Sequence, residues 1–520
     1  MPQTSASTDS TTDVFVRGNN AWHRPLYAAF EEQVARTPHA TALQWGESSR
    51  TYAELACRST RLAAALRARG VARGDRIAML SENRSEYVEM MLAAALLGAT
   101  AACQNWRLTP AELSHCVAVI RPKLIMVSER FAPVLQQLPA ISVFSLGAEY
   151  EYALARAASA PPSAGQAEDG LLILYTSGTT GLPKAAVISQ RALLARSYIQ
   201  AVDRPTDPSA AFIAWTPFFH MGATDPALGT LTRGGKVVLV DGYQPQVILH
   251  TVQHDHVGHL TVVPGVAERF LRALVESGCT PRRVDVVGAM PDLIAPRVVA
   301  ELTRRLNAPF CNTFGSTETG SPPASKGLID IGVVPTDLAK TQNSLCEVRL
   351  VDDAGHEAGV GVPGEVVLRG PSLFSGYWEG EEVNAQVFRN GWYRMGDVFL
   401  RRPDGCLEFV DRKKYLIKSG GENIYPAEIE RAILSLDGVA EVVVVRRPDE
   451  TWGEVPVAFI VKNDPKLTAD AVLERCRQTI GSYKLPKDVR FVDAESLARN
   501  VSGKVERKAL EILLAAEAEA

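Results

Sequence analysis

A chain of 520 residues is longer than one hydrophobic core normally supports, so two or more domains are expected. Its 46% hydrophobic and 22% charged residues exclude a disordered or fibrous chain. A formal net charge of -4 gives no overall attraction to nucleic acid or an anionic membrane, so any anionic ligand must be held by local donors.

In chain order, the polar start "MPQTSASTDSTTD" lacks the basic and apolar segments of a secretory signal and is expected to be a frayed tail. From Thr51 to Val119, helical patterns such as "TYAELACRSTRLAAALRARG" alternate with strand-like runs such as "RIAML", the rhythm of a layered βαβ unit. The longest apolar run, Met90 to Cys103, falls short of a membrane span and is expected to be a buried helix and the turn after it. "AASAPPSAGQAEDG", ending at Gly170, marks a surface connection before the buried strand "LLILY". Strands "KVVLV" and "LTVV" follow, separated by helices, and Cys346 to Val410 changes to an all-β texture punctuated by Gly and Pro. Beyond "DRKKYLIKSGGENIYP" a helix–strand–strand–helix–strand pattern predicts an α+β unit of roughly a hundred residues. The expected domains are 1–410, a hinge at 411–414, and 415–520. The eight cysteines form no C-x-x-C pair, which argues against a zinc ribbon or disulfide scaffold and fits a reducing cytoplasm.

The stretch "YTSGTTGLPKAA", Tyr175 to Ala186, places hydroxyls, glycines and a lysine directly after an apolar strand, the ingredients of a phosphate-binding loop. It is not a Walker A loop, because Pro183 and Ala185 stand where that pattern needs glycine and a magnesium-holding hydroxyl. Four further segments follow in order: "NTFGSTETG" from Asn312, "YRMGDV" from Tyr393, "DRKKYLIKSGG" from Asp411, and "NVSGK" ending at Lys504. Together they resemble the adenylate-forming (AMP-binding) superfamily, in its acyl-CoA synthetase and aryl-CoA ligase branch, over nearly the whole chain. The resemblance implies an α/β fold: a large multi-subdomain N-terminal domain with layered sheets and a β-rich section, plus a small mobile α+β C-terminal domain.

The implied chemistry is attack of a carboxylate on the α-phosphate of ATP, giving an acyl adenylate and pyrophosphate, followed by displacement of AMP by a thiol. Each motif has a role by that resemblance. Thr176, Ser177, Gly178, Thr179, Thr180 and Lys184 match the cradle of the β- and γ-phosphates. Phe314 matches the ring stacked on adenine, Thr317 an α-phosphate contact, and Glu318 the Mg2+ carboxylate, although "STET" also reads as a helix N-cap box. Asp397 matches the carboxylate accepting the ribose hydroxyls, with Arg412 its cationic neighbour. Lys504 matches the lysine that bridges the attacking carboxylate and the α-phosphate. Lys418 and Gly421 match positions facing the site in the second half-reaction, and Lys414 matches the hinge. His220 matches a residue at the mouth of the acyl site, lined by Met221, Gly222, Ala223 and Gly315, while Gly288, Ala289 and Met290 match the wall toward the nucleotide. Asp225 is read either as an acid contact or as a helix cap.

Ala185, Val287 and Ala498 depart from the common pattern without removing a chemical group, and Ala185 is expected to stiffen the loop. His250, His254, His256 and His259 invite a metal reading, but their spacing suits a helix running into the strand "LTVV". The implied protein is an acid–thiol ligase using ATP, Mg2+ and coenzyme A on a medium-chain, aryl or other bulky acid, cytoplasmic, with no nucleic-acid partner, no transmembrane segment and a homodimer left open. A stand-alone ligase is favoured because "NTFGSTE" lacks the proline common in peptide-synthetase domains and no carrier domain follows. The alternatives are loading of a separate carrier protein, a luciferase-like oxygenase, and a degenerate nucleotide-binding homologue.

Overall fold

A computed structural model describes residues 24–157, 161–177, 182–204, 206–420, 422–499 and 505–519. The chain packs as two compact units. The first comprises Met1–Tyr198, Pro208–Gln244 and Pro371–Gly380, and the second Ile199–Asp207, Pro245–Gly370 and Glu381–Ala520.

In the first unit a seven-stranded sheet runs Gly376–Tyr377, Pro183–Ser189, Gly170–Ser177, Thr100–Cys103, Arg76–Leu80, Leu124–Val127, Val143–Ser145. Arg76–Leu80 pairs in parallel with both Thr100–Cys103 and Leu124–Val127, and helices Ser85–Leu97 and Pro110–Ile120 make the crossovers. All 13 residues of Ser85–Leu97 are buried, which is why its sequence is largely apolar, and its buried Glu86 and Glu89 are paired with Arg84 and Arg58. Gly98, left-handed at φ 68°, ends it, and the run continues into the strand Thr100–Cys103 rather than stopping at the turn. Capping boxes start two other helices: Thr51 with Glu54, and Thr109 with Glu112. A second layer orders Ala211–Ala214, Val237–Leu239, Thr41–Trp45 and Ser48–Thr51, the last pair antiparallel.

In the second unit His256–Leu260, Arg283–Val287 and Phe310–Cys311 are parallel, with Leu328–Ile329 antiparallel at the end. The expected strand "LTVV" is thus displaced: the strand is His256–Leu260, following helix Pro245–His254. The β-rich section is a sheet of Glu347–Val351, Gly364–Arg369, Trp392–Arg401 and Phe388–Arg389, with Leu407–Arg412 on Trp392–Arg401. It also contains the helix Glu381–Val387, too short at 7 residues to show a period in the sequence.

From Ile417 onward a separate sheet orders Glu422–Ile424, Ile417–Ser419, Gly453–Lys462 and Val439–Asp449, with Asp488–Phe491 parallel to Gly453–Lys462. Its two faces carry two cores. Helices Pro426–Leu434 and Ala469–Thr479 cover one through Ile429, Ile433, Val472 and Cys476, and helix Arg507–Glu519 covers the other through Leu510 and Leu514. Among the described residues no helix is long and apolar enough to cross a membrane.

Candidate active site

In the first unit the signature loop joins two antiparallel strands, Gly170–Ser177 and Pro183–Ser189, so it is a hairpin connection and not a strand-to-helix turn. Thr176 stands opposite Lys184, and the Thr176 hydroxyl is buried without a hydrogen-bond partner among the described residues. The Lys184 ammonium lies 4.4 Å from the centre of the Tyr377 ring. Ala185 points away from the loop: it is buried with Ala102, Ile120 and Ile173, so its methyl belongs to the packing beneath the hairpin. Gly178, Thr179 and Thr180 lie outside the described residues.

His220 is the N-cap residue of helix Met221–Arg233, and its ring packs 4.6 Å from that of Phe219. Met221 and Gly222 are partly exposed and Ala223 is buried. Beyond its chain neighbours and its own helix backbone, a Cβ added at Gly222 would meet one atom within 4 Å among the described residues, Thr216 Oγ1 at 4.0 Å. The Thr216 hydroxyl is itself buried without a partner among the described residues. Asp225 does not cap the helix: it lies inside the first turns and accepts from Arg196 Nη1 at 2.9 Å, with both side chains almost wholly buried. Burial is the larger influence on its carboxyl and raises its pKa, against the Arg196 charge.

Sequence reading missed Asn83, which follows the strand Arg76–Leu80. Its Nδ2 donates to the carbonyls of Ala214, Thr216 and Val240 at 3.0, 2.8 and 3.1 Å, and its Oδ1 accepts from Phe218 N at 3.0 Å. One amide thereby fixes the "TPFFH" backbone leading to His220. The signal available was its place just past the carboxyl end of a parallel strand, where open α/β sheets bind ligands.

In the second unit "NTFGSTETG" forms a two-stranded ribbon, Gly315–Ser316 with Gly320–Pro323. "STET" therefore begins no helix: Thr317 to Thr319 are the turn, and Thr319 Oγ1 accepts from Ser316 N at 3.0 Å within it. Gly315 is required by the close pairing, since a Cβ there would lie 2.0 Å from the Gly320 carbonyl oxygen. The Phe314 ring packs against Phe399 and Phe409, with centroids 4.8 and 4.9 Å away, and 6% of the residue is exposed. Asn312, at the base of the ribbon, accepts from the buried Lys340 Nζ at 2.6 Å, and that ammonium also pairs with Asp292 at 2.7 Å. Burial lowers the Lys340 pKa, opposed by Asp292.

Asp397 and Arg412 face each other on paired strands, Oδ1 to Nε 2.9 Å. The Asp397 carboxylate is the largest influence raising the Arg412 pKa, and Glu318 acts on the same guanidinium in the same direction. The fold thus draws Asp397, Arg412 and Glu318, widely spaced in sequence, into one electrostatic group. Glu318, mostly buried, is a hard oxygen donor of the kind Mg2+ takes alongside phosphate oxygens. No cluster of three or more His, Cys, Asp or Glu side chains able to hold a metal exists among the described residues.

The four histidines form no cluster of three: the His250 and His254 rings stack 4.2 Å apart with His254 Nδ1 on the His250 carbonyl, while His256 Nε2 contacts Asp285 and His259 Nε2 contacts the Gly288 carbonyl. Gly288, at φ +94°, ends the strand Arg283–Val287 and leads into Ala289 and Met290. Lys414 lies in the short 3-10 turn Lys413–Tyr415. Lys418 is exposed on the strand Ile417–Ser419, where its N–H donates to Glu454. Gly421 and Lys504 lie outside the described residues.

The AMP-binding enzyme family matches residues 30–378, and the AMP-binding enzyme C-terminal domain matches residues 428–504. Indoleacetate–CoA ligase of Aromatoleum aromaticum is 34% identical, covering 92% of this chain and 96% of its own. Feruloyl-CoA synthase of an Amycolatopsis species is 32% identical over 90% of this chain and 95% of its own. The o-succinylbenzoate CoA synthetase of Bacillus subtilis, solved with its acyl-adenylate intermediate, superimposes with a TM-score of 0.81 at 26% identity, covering 94% of this chain and 98% of that one. The same Bacillus protein has been solved with ATP and magnesium ion. This chain belongs to the AMP-binding enzymes and, within them, to the AMP-forming acid–thiol ligases of the acyl-CoA synthetase and aryl-CoA ligase branch.

Proposed function

We propose that this ligase activates a ring-bearing carboxylic acid and transfers it to coenzyme A. The acid carboxylate attacks the α-phosphorus of ATP, pyrophosphate leaves, and the CoA thiol then attacks the acyl carbon and expels AMP. Lys504 bridges the two anions of the first step, which repel each other until a cation stands between them. Thr176, Ser177, Gly178, Thr179, Thr180 and Lys184 hold the departing pyrophosphate. Asp397 receives the ribose hydroxyls while Arg412 balances its buried charge, Thr317 contacts the α-phosphate, and Phe314 supports the adenine. Glu318 holds Mg2+, which when bound neutralises phosphate charge. Residues 415–520 turn about 411–414, exchanging Lys504 for Lys418 and Gly421 between half-reactions. The protein works in the cytoplasm.

The observation that carries the choice of acid is the open side of Gly222, where, beyond its chain neighbours and its own helix backbone, an added Cβ finds no atom among the described residues nearer than Thr216 Oγ1 at 4.0 Å. Both relatives compared above are named for acids that carry a ring, which supports the same reading. The shielded Thr216 hydroxyl favours a ring bearing a hydrogen-bonding group, since an unpaired buried hydroxyl costs about 1–3 kcal/mol. The test is ATP–pyrophosphate exchange with acetate, medium-chain acids and aryl acids with and without hydroxyl groups. Exchange rises toward the aryl acids, and Gly222→Trp reverses that order by filling the space. An unchanged order in Gly222→Trp, or acetate as the best acid, contradicts the reading.

A further inference from the structure

We propose that His259 is a positioning residue for adenylation, whose ring N–H holds the Gly288 carbonyl and with it the Gly288–Met290 wall. The proposal rests on the reading of that segment as the wall of the site.

Gly288 is restrained from three sides. Its N–H donates to the Leu260 carbonyl at 2.8 Å, continuing the parallel ladder in which Leu260 stands opposite Val287. Its α-carbon faces the Phe310 ring so closely that a Cβ would come within 2.2 Å of it, and its φ of +94° is left-handed. The third restraint is His259 Nε2, 2.9 Å from the Gly288 carbonyl oxygen. Removing that contact leaves the peptide leading into Ala289 without a donor among the described residues.

The tautomer follows from the neighbours. A carbonyl only accepts, so Nε2 carries the proton and Nδ1 presents its lone pair. Facing Nδ1 is the thiol of the buried Cys311, 4.0 Å away, and that sulfur accepts from Arg204 Nη1 at 3.1 Å. The guanidinium supplies donors on its own side and reaches Ser321 Oγ with Nη2 at 3.3 Å. Burial, with the Arg204 charge, holds the imidazole pKa down to about 3, so the ring stays neutral over any working pH. A neutral imidazole gives a rigid donor behind the wall without adding a positive charge there, which a lysine would.

Three measurements on the full-length protein test this. Histidine-selective 15N labelling of the unmodified chain reads the His259 tautomer, expected to be neutral and protonated on Nε2 from pH 5 to 8; a proton on Nδ1, or an imidazolium, overturns the proposal. Pyrophosphate exchange compares His259→Gln, which retains a donor, with His259→Leu, which does not. His259→Leu is expected to lose about tenfold to a hundredfold in kcat/KM for the acid, the size of loss that a small misplacement of a reacting group brings. His259→Gln recovers most of it at an unchanged KM for ATP. Equal losses in the two variants overturn the proposal. Ala289→Leu in the native background probes the underlying reading separately: a changed acid preference supports the wall, and an unchanged preference overturns the wall reading even when the tautomer is as expected.

Discussion

Lys504 and Asp225 illustrate two different uses of a charge. Lys504→Ala deletes a charge proposed to act in adenylation alone, so adenylate formation is expected to fall roughly a hundredfold or more while thioester formation from supplied acyl adenylate survives. Separate assays of the half-reactions check this, and equal loss in both assigns the lysine a general structural role. Asp225→Asn instead removes the carboxylate charge facing Arg196, which is 1% exposed and keeps its Nε bond to the Ser372 carbonyl. Leaving that buried guanidinium without a compensating carboxylate is expected to cost about 3–5 kcal/mol, read as a lowered denaturation midpoint. His259 contributes a pH dependence: with a pKa near 3 when folded and about 6.5 as the ordinary histidine value, it binds a proton in the unfolded chain first. Stability therefore falls as pH drops from 6.5 toward 3, by about 1.4 kcal/mol per unit from this group, and His259→Gln flattens that slope in pH-dependent urea melts. Residues within contiguous motifs were legible in the sequence because their spacing is local. The choice left open for Asp225 between an acid contact and a helix cap could not include its ion pair, because Arg196 sits on a different helix. Asn83 was missed, despite its place just past the end of a parallel strand, because the carbonyls it gathers lie on two later segments.

Among the elements, the segment from Asp411 to Tyr415 is the most consequential. Asp411 Oδ2 accepts from Ala427 N at 2.8 Å, in the first turn of helix Pro426–Leu434, and Arg431 Nη1 donates to the Phe409 carbonyl at 2.8 Å. Arg507 stacks 4.5 Å from the Tyr415 ring and pairs with the buried Glu430. These contacts hold one arrangement, and a hinge at Lys414 must break some of them to reach another. Lys414→Pro fixes φ and removes a backbone donor, so it is expected to permit adenylation while slowing CoA transfer. Rapid-quench assays of the two half-reactions check it, and wild-type turnover in the variant contradicts the hinge assignment. The long periodic elements matched expectation: the capped helix from Tyr52, the buried helix from Ser85, and the strand pair Val439–Asp449 with Gly453–Lys462. The ribbon at Gly315 and the strands Phe310–Cys311 and Leu328–Ile329 did not declare themselves, since two residues carry no period and their pairing partners are remote.

At the scale of the whole molecule the central claim is that one chain couples adenylation of a ring-bearing acid to thioester formation with CoA. Its acidic balance gives no general anion affinity, so nucleotide binding depends on specific local groups, a role proposed above for Lys184 and, separately, for Asp397 and Arg412. The sequence motifs revealed the reaction class because that chemistry is written in short segments. The acid was not legible, because its pocket depends on which side chains pack around Gly222. The most direct test incubates the purified protein with ATP, Mg2+, CoA and a panel of aryl and aliphatic acids, and follows acyl-CoA, AMP and pyrophosphate together by chromatography. The account predicts equimolar thioester, AMP and pyrophosphate, with the highest kcat/KM for a ring-bearing acid. Formation of ADP, preference for acetate, or AMP release without any CoA thioester would contradict it.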